Sequence, residues 1–195
     1  QVVFSVPTGN LGNLTAGVIA QRIGLPVARF VAATNVNRVL PDYLESGIYR
    51  ARPSIATLSN AMDVGDPSNF PRLVELHGGS LDDLRRNLYS TSVTEDETRA
   101  TIRNVYERAR YVLDPHSAVG WAAADRFGAS CGARHPIVTL ATAHPAKFDR
   151  AIREQLGFAP PLPGAYADWR ARPIVAVDLQ QPDYAEFRRL LVSRC

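Results

Sequence analysis

One lysine, Lys147, two cysteines and one methionine are spread over 195 residues, and no apolar run reaches the about eighteen residues that a membrane span needs. A single lysine leaves one candidate for chemistry that requires a nucleophilic amine. Cys131 and Cys195 are too few and too far apart for a disulfide framework or a thiolate metal site, which points to a reducing cytosol. The histidines at 77, 116, 135 and 144 show no metal-ligand spacing, so no metal is expected. Basic and acidic residues are interspersed to a net charge of only +3, and the doublets Arg85-Arg86 and Arg188-Arg189 have no aromatics between them. That pattern describes solvated helix faces, not a nucleic-acid surface. The first residues resemble no secretory leader. A soluble, cytoplasmic protein is expected, with neither membrane nor nucleic acid as partner.

What is present is enough for a real core: 46% of the residues are hydrophobic, and the length suits one large domain or a large piece of one. The chain opens directly in an apolar strand without an initiating methionine. Sheet neighbours of that strand are then expected upstream of Gln1, the chain being the C-terminal part of a longer polypeptide. Apolar faces left uncovered would cause association or poor solubility.

Periodicity alternates strand and helix. A strand over Val2 to Val6, a helix from about Leu14 to Arg22 and a second strand over Val27 to Ala32 make a beta-alpha-beta unit, for which a right-handed crossover into a parallel sheet is expected. Helices are predicted over Asn35 to Gly47 and around Ile55 to Met62. Another is predicted with Pro67 at its first position and Gly78-Gly79 closing it, and a fourth from Ser80 to about Leu88. Thr94-Glu95-Asp96-Glu97 reads as a capping box, followed at helical spacing by Ile102, Val105, Tyr106 and Ala109. An alanine-rich helix follows Asp114-Pro115-His116 and is expected to end at Gly128. A strand over Pro136 to Leu140 enters Ala141-Thr142-Ala143-His144-Pro145, then a helix to Leu156 closed by Gly157. After a proline-rich loop, a strand at Ile174 to Val177 and a helix from Pro182 are expected.

Two junctions carry candidate chemistry. Val6-Pro7-Thr8-Gly9-Asn10-Leu11-Gly12-Asn13 joins a strand to a helix through small residues. Glycines at 9 and 12 would admit backbone angles closed to other residues, so that N–H groups converge beside the positive end of the helix, where a phosphate fits. The spacing matches neither the dinucleotide fingerprint nor a P-loop, and a plain strand-to-helix turn is the alternative. Thr142 ends a strand at the edge where open α/β sheets place ligands, so its hydroxyl either meets a ligand or caps the next helix. Asn35 and Asn37 also follow a strand and would project toward the same region. Asp114, His116 and Ser117 lie too close in sequence to build a hydrolytic triad. Asp114 or Ser117 is expected to cap the alanine-rich helix, with His116 in its first turn. His144 is read as orienting its turn through a backbone bond, and Lys147 either as a Schiff-base amine or as an exposed helix lysine.

Six stretches together resemble the C-terminal half of the threonine synthases, over most of the chain and in that family's order. They are Val6-Pro7-Thr8-Gly9-Asn10-Leu11-Gly12-Asn13-Leu14-Thr15-Ala16-Gly17, Ala32-Ala33-Thr34-Asn35-Val36-Asn37, Ala56-Thr57-Leu58-Ser59-Asn60-Ala61-Met62-Asp63-Val64, Pro67-Ser68-Asn69-Phe70-Pro71-Arg72, Asp114-Pro115-His116-Ser117-Ala118-Val119 and Ala141-Thr142-Ala143-His144-Pro145-Ala146-Lys147-Phe148. The resemblance implies an α/β chain of PLP fold type II, the tryptophan-synthase-beta-like fold, with a largely parallel sheet flanked by helices. Residues 1–195 would form the C-terminal part of the PLP-binding catalytic region, the N-terminal half being absent. Pyridoxal 5'-phosphate is the implied cofactor, its phosphate held by Gly9, Asn10, Leu11, Gly12 and Asn13 and its pyridine nitrogen met by Thr142. The implied reaction takes O-phospho-L-homoserine and water to L-threonine and phosphate.

The family's Schiff-base lysine sits in a Phe-Lys-Asp setting that this chain lacks, and Lys147 matches a different family position. No catalytic residue is therefore assigned here. That lysine is expected upstream of Gln1, and the fragment alone is expected to be inactive. Arg38 stands where members often carry an acidic residue, and Leu11 replaces a common phenylalanine. The competing readings are a non-catalytic module that binds a phosphate ligand, and another enzyme of the same fold, such as a threonine dehydratase or a cysteine synthase.

Overall fold

A computed structural model describes residues 1–131, 135–166, 168, 171–179 and 183–193. Strands β1 (Val2–Pro7) and β2 (Val27–Thr34) pair in parallel and are joined by helix α1 (Gly12–Arg22). The two-residue period of a strand splits their side chains. Phe4, Val6, Phe30 and Ala32 pack with Leu14 and Val18 of α1, whereas Val3, Val31 and Ala33 turn to the opposite face.

From β2 the chain passes through helices α2 (Val39–Ser46), α3 (Phe70–Glu75) and α4 (Leu81–Asn87) before β3 (Leu88–Ser92) pairs in parallel outside β2. Helices α5 (Glu95–Ala109) and α6 (Pro115–Cys131) then carry it back across the sheet, so that β4 (Ile137–Thr139) lands on the free edge of β1. The order is β3-β2-β1-β4, all parallel. The connection changes direction at β1, and the crevice beyond the carboxyl ends of β1 and β4 is where a sheet of this kind receives a ligand. Helix α6 covers the face of Val3 and Val31 and lies tight against these two strands. The Ser5 hydroxyl donates to the Gly120 carbonyl at 2.7 Å, and a Cβ on Gly120 would meet Pro7 Cγ at 2.8 Å and Thr139 Cγ2 at 2.9 Å.

The chain divides into two compact units, Gln1–Pro161 and Leu162–Cys195. The first holds the sheet, helices α1 to α6 and helix α7 (Asp149–Leu156), the last ended by Gly157 at φ 77°. The second holds a 3-10 turn at Gly164–Tyr166 and helix α8 (Tyr184–Val192), started by the Asp183 carboxylate accepting the Ala185 N–H at 3.0 Å. No helix among the described residues is long and apolar enough to cross a membrane.

Several expectations need correction. Residues 174–177 form no strand, and the helix expected from Pro182 begins at Tyr184, Pro182 itself lying outside the described residues, as does Cys195. The helix expected at Asn35 begins only at Val39, because Asn35 and Asn37 are engaged in side-chain bonds to the 55–63 loop. Ile55 to Ser59 are not helical, and only Asn60–Met62 make a 3-10 turn. Pro67 precedes its helix, which starts at Phe70 with Pro71 in the first turn. Helix α6 runs through Gly128 to Cys131. Strand β3 was not read from the sequence. The capping box at Thr94 and Glu97 forms as expected.

Candidate functional site

Helix α1 begins without the devices that usually complete a helix start. Its N-cap, Leu11, makes no side-chain capping bond, and no acidic residue occupies the first turn. Among the described residues, no protein group accepts a hydrogen bond from the main-chain N–H groups of Gly9 to Asn13. These donors, together with the positive end of the helix dipole, make a place for an anion.

The turn is built differently from its sequence reading. The left-handed conformation falls on Leu11, at φ 61°, and on neither Gly9 nor Gly12. Leu11 accepts this disfavoured geometry with its side chain buried in the core. Gly9 is required for closeness instead, since a Cβ there would stand 2.6 Å from Met62 Cα. A Cβ on Gly12 would meet only Asn69 Nδ2, at 3.7 Å, so the space in front of the helix is open.

The turn lines a cleft of about 540 Å3 at the β1–β4 switch point. Pro7 to Asn13, Asn60 to Met62, and His116, Thr142, Ala143, Lys147 and Phe148 surround it. All six residues expected to bind the cofactor, Gly9, Asn10, Leu11, Gly12, Asn13 and Thr142, thus border one cavity. Among the described lining residues there is one lysine and no carboxylate. Thr142 is exposed and its hydroxyl makes no hydrogen bond among the described residues. It does not cap the following helical turn, where His144 Nδ1 accepts the Ala146 N–H at 3.2 Å, the backbone bond expected of that histidine.

His116 enters the cleft wall from the first turn of α6. Its Nε2 accepts the Ala61 N–H at 3.2 Å, so Nδ1 carries the proton and donates to Asp114 Oδ1 at 2.9 Å. Asp114 Oδ1 also accepts the His116 N–H, and Ser117 Oγ donates to Oδ2, which makes Asp114 the cap expected for this helix. Ser117 bonds the carboxylate and not the imidazole, so the three do not form a nucleophilic relay. Burial pushes the Asp114 carboxyl up, but the bonds from His116 and Ser117 outweigh it and hold the group below the usual carboxylate range.

Asn35 and Asn37 do not reach the cleft. Asn35 Nδ2 donates to Asp63 Oδ1 at 2.8 Å, Asn37 Nδ2 donates to the Ile55 carbonyl at 2.9 Å, and both hold the 55–63 loop whose turn walls the site. Arg38 lies on the surface, paired with Asp42 and Glu45. Sequence reasoning missed the wall made by His116, Lys147 and Phe148, because it comes from folding two distant segments together. It also missed the bonds of Ser68 and Asn69 to Asn10, for which the matching stretch Pro67 to Arg72 was the available signal.

A family model described as "Threonine synthase, C-terminal" matches residues 117–191. Threonine synthase of Haemophilus influenzae is 41% identical over 196 residues, covering 98% of this chain and 44% of that protein. The crystal structure of PLP-bound threonine synthase from Brucella melitensis superposes with a TM-score of 0.83 at 38% identity, covering 89% of this chain and 42% of the other. That of threonine synthase from Escherichia coli gives 0.82 at 38% identity, covering 100% and 44%. The chain therefore spans less than half the length of the relatives it matches. Threonine deaminase isoform 2 from Solanum lycopersicum, at 19% identity and a TM-score of 0.53, shares the fold alone.

Proposed function

The chain belongs to the threonine synthase family, whose C-terminal region it matches, and from that premise we propose that it supplies the cofactor-phosphate and ring-nitrogen contacts of a PLP-dependent lyase. The complete enzyme would convert O-phospho-L-homoserine and water to L-threonine and phosphate, in the cytoplasm. Residues 1–195 form the C-terminal part of its catalytic region. A complementary N-terminal part of the same polypeptide brings the lysine that tethers the cofactor, and this chain by itself is inactive.

The fit rests on one observation. At the sheet's switch point one cleft, with no carboxylate on its described lining, brings together main-chain N–H groups at the start of α1 and the Thr142 hydroxyl beyond the end of β4, none of them paired among the described residues. Gly9 to Asn13 would hold the phosphate dianion with those amides and the helix dipole. Thr142 would place a neutral hydroxyl against the pyridine nitrogen, which favours an unprotonated ring more than a carboxylate would. When bound, the cofactor takes up the electron pair left on the substrate's carbon as its proton is removed. Phe148, against His116 at 5.0 Å between ring centroids, gives the cavity an aromatic side, and Lys147 is the one cation on its described lining. Stabilisation that differs between substrate and transition state must come from the assembled site.

The test is to purify the complete polypeptide, load it with pyridoxal 5'-phosphate, and follow threonine and inorganic phosphate from O-phosphohomoserine. Equal release of both, with none from residues 1–195 alone, is expected. Release of 2-oxobutanoate from threonine in its place would make the protein a dehydratase. Cofactor binding without turnover of either substrate would make it a non-catalytic module.

A further inference from the structure

Asn69 occupies the N-cap of α3, yet its side chain does not cap that helix. An asparagine in this position normally turns its oxygen to an amide two or three residues ahead. Here Nδ2 donates to the main-chain oxygen of Asn10 at 2.8 Å, and Oδ1 accepts from Arg72 Nη1 at 3.2 Å. Ser68, beside it, donates its main-chain N–H at 2.6 Å and its hydroxyl at 3.0 Å to Asn10 Oδ1. Three bonds from one segment converge on the residue that precedes Leu11.

Leu11 is where these bonds act. A buried leucine in the left-handed region is sterically disfavoured, and it persists only where its surroundings over-determine it. No described peptide is cis, so the carbonyl and N–H of the Asn10–Leu11 peptide point in opposite directions. With Asn69 holding that carbonyl, the Leu11 N–H is turned away from Asn69, and no protein group among the described residues accepts it. Neither Ser68 nor Asn69 lines the cleft.

We propose that Ser68 and Asn69 form a brace that sets the phosphate cradle from outside, fixing the Asn10–Leu11 peptide so that its N–H is ready for the dianionic phosphomonoester of the cofactor. Both are positioning residues. The inference rests on the reading of Gly9 to Asn13 as that cradle. Asn69 gives up its local cap for a contact across the fold, and the gain falls on the peptide that starts α1.

The experiment uses the complete polypeptide and compares Asn69→Ala and the isosteric Asn69→Asp with the parent protein. Pyridoxal 5'-phosphate affinity is titrated by visible absorbance, the bound phosphate is observed by phosphorus NMR, and the apo proteins are melted. Asn69→Ala is expected to raise the cofactor Kd about fivefold, the loss of one hydrogen bond, with the phosphorus resonance displaced and the apo melting temperature held. Asn69→Asp binds more weakly still, because a carboxylate then faces the Asn10 carbonyl. Parent-like affinity and resonance in both variants would overturn the brace alone. So would a loss of affinity that only tracks a fall in apo melting temperature while the resonance stays in place. A parent protein that fails to bind the cofactor would remove the reading of the cradle and this inference with it.

Discussion

Gly9 and Met62 meet backbone to backbone, a Cβ on Gly9 falling 2.6 Å from Met62 Cα and 2.7 Å from its carbonyl oxygen. The two glycines of the turn should therefore fail in different ways. Gly9→Ala forces the 3-10 turn at Asn60–Met62 away and should destabilise the fold by about 1–3 kcal/mol, the usual cost of overpacking. Gly12→Ala puts a methyl where only Asn69 Nδ2 lies within 4 Å, at 3.7 Å, and at a helical position that favours alanine by roughly 0.5–1 kcal/mol. It should fold at least as well as the parent and lose cofactor affinity, because Gly12 itself lines the cleft. Thermal melts beside cofactor titrations separate the two. A Gly12→Ala protein that binds as the parent does would show that the phosphate lies elsewhere.

His116 ties the same turn to helix α6 through the Ala61 N–H. His116→Phe keeps a ring against Phe148 but leaves that N–H without its acceptor and Asp114 without its imidazole donor. A loss of about 1–3 kcal/mol in unfolding free energy is expected, chiefly from the buried Asp114 carboxylate losing a donor. Denaturant unfolding checks it, and parent stability in His116→Phe would show that the two bonds carry no weight.

Asp114 contributes to the loss of stability in acid. Its folded carboxyl titrates below its unfolded value, so protons bind the unfolded chain more readily. The stabilisation is complete above the ordinary aspartate pKa of about 3.9 and is lost as pH falls through the lower folded value. Glu97 adds in the same sense. Burial raises its carboxyl, while the Thr94 amide and Arg126 more than offset that. Asp114→Asn should flatten the fall in melting temperature on acidification, and an unchanged acid slope would assign it to other carboxylates.

Where local chemistry and tertiary structure agree, the fold was legible. Thr94 and Glu97 cap α5 reciprocally, Gly157 closes α7 in the left-handed region, and the small-residue turn after β1 marks the cleft. It failed where distant contacts decide. Leu88–Ser92 is a five-residue strand directly after a helix, with no turn residue to announce it, and it exists because Leu88 to Ser92 register against Phe30 to Thr34 of β2. Ile55 to Ser59 have helix-compatible spacing, but Asn37 takes the Ile55 carbonyl and Asp63 takes the Thr57 N–H, bonds that hold the chain extended. Assigning the left-handed angle to a glycine was reasonable on propensity. The angle falls instead on Leu11, between the two glycines, whose side chain is buried in the core.

The chain on its own should self-associate. Ile174 is 93% exposed and its neighbour Val175 84%, and Ile23 in the other unit is 83% exposed, apolar side chains that association would cover. Sedimentation of residues 1–195 should show association or aggregation that addition of the complementary part of the polypeptide relieves. A clean monomer across concentration would contradict this.

Lys147 decides how the covalent chemistry is divided between the two parts. It is the sole lysine, it borders the cleft, and among the described residues it forms no ion pair, so position alone would make it the tether. The proposed reading assigns the tether to the complementary part and leaves Lys147 a cation beside bound phosphate. Lys147→Ala in the complete polypeptide should then keep the visible band of the tethered cofactor, with affinity reduced severalfold in a way that added salt diminishes, as expected for a screened charge contact. Borohydride reduction followed by peptide mapping should find the cofactor on a lysine outside residues 1–195. Label on Lys147, or loss of the visible band in Lys147→Ala, would place the reactive amine in this chain, and residues 1–195 would then be able to hold the cofactor covalently without the other part.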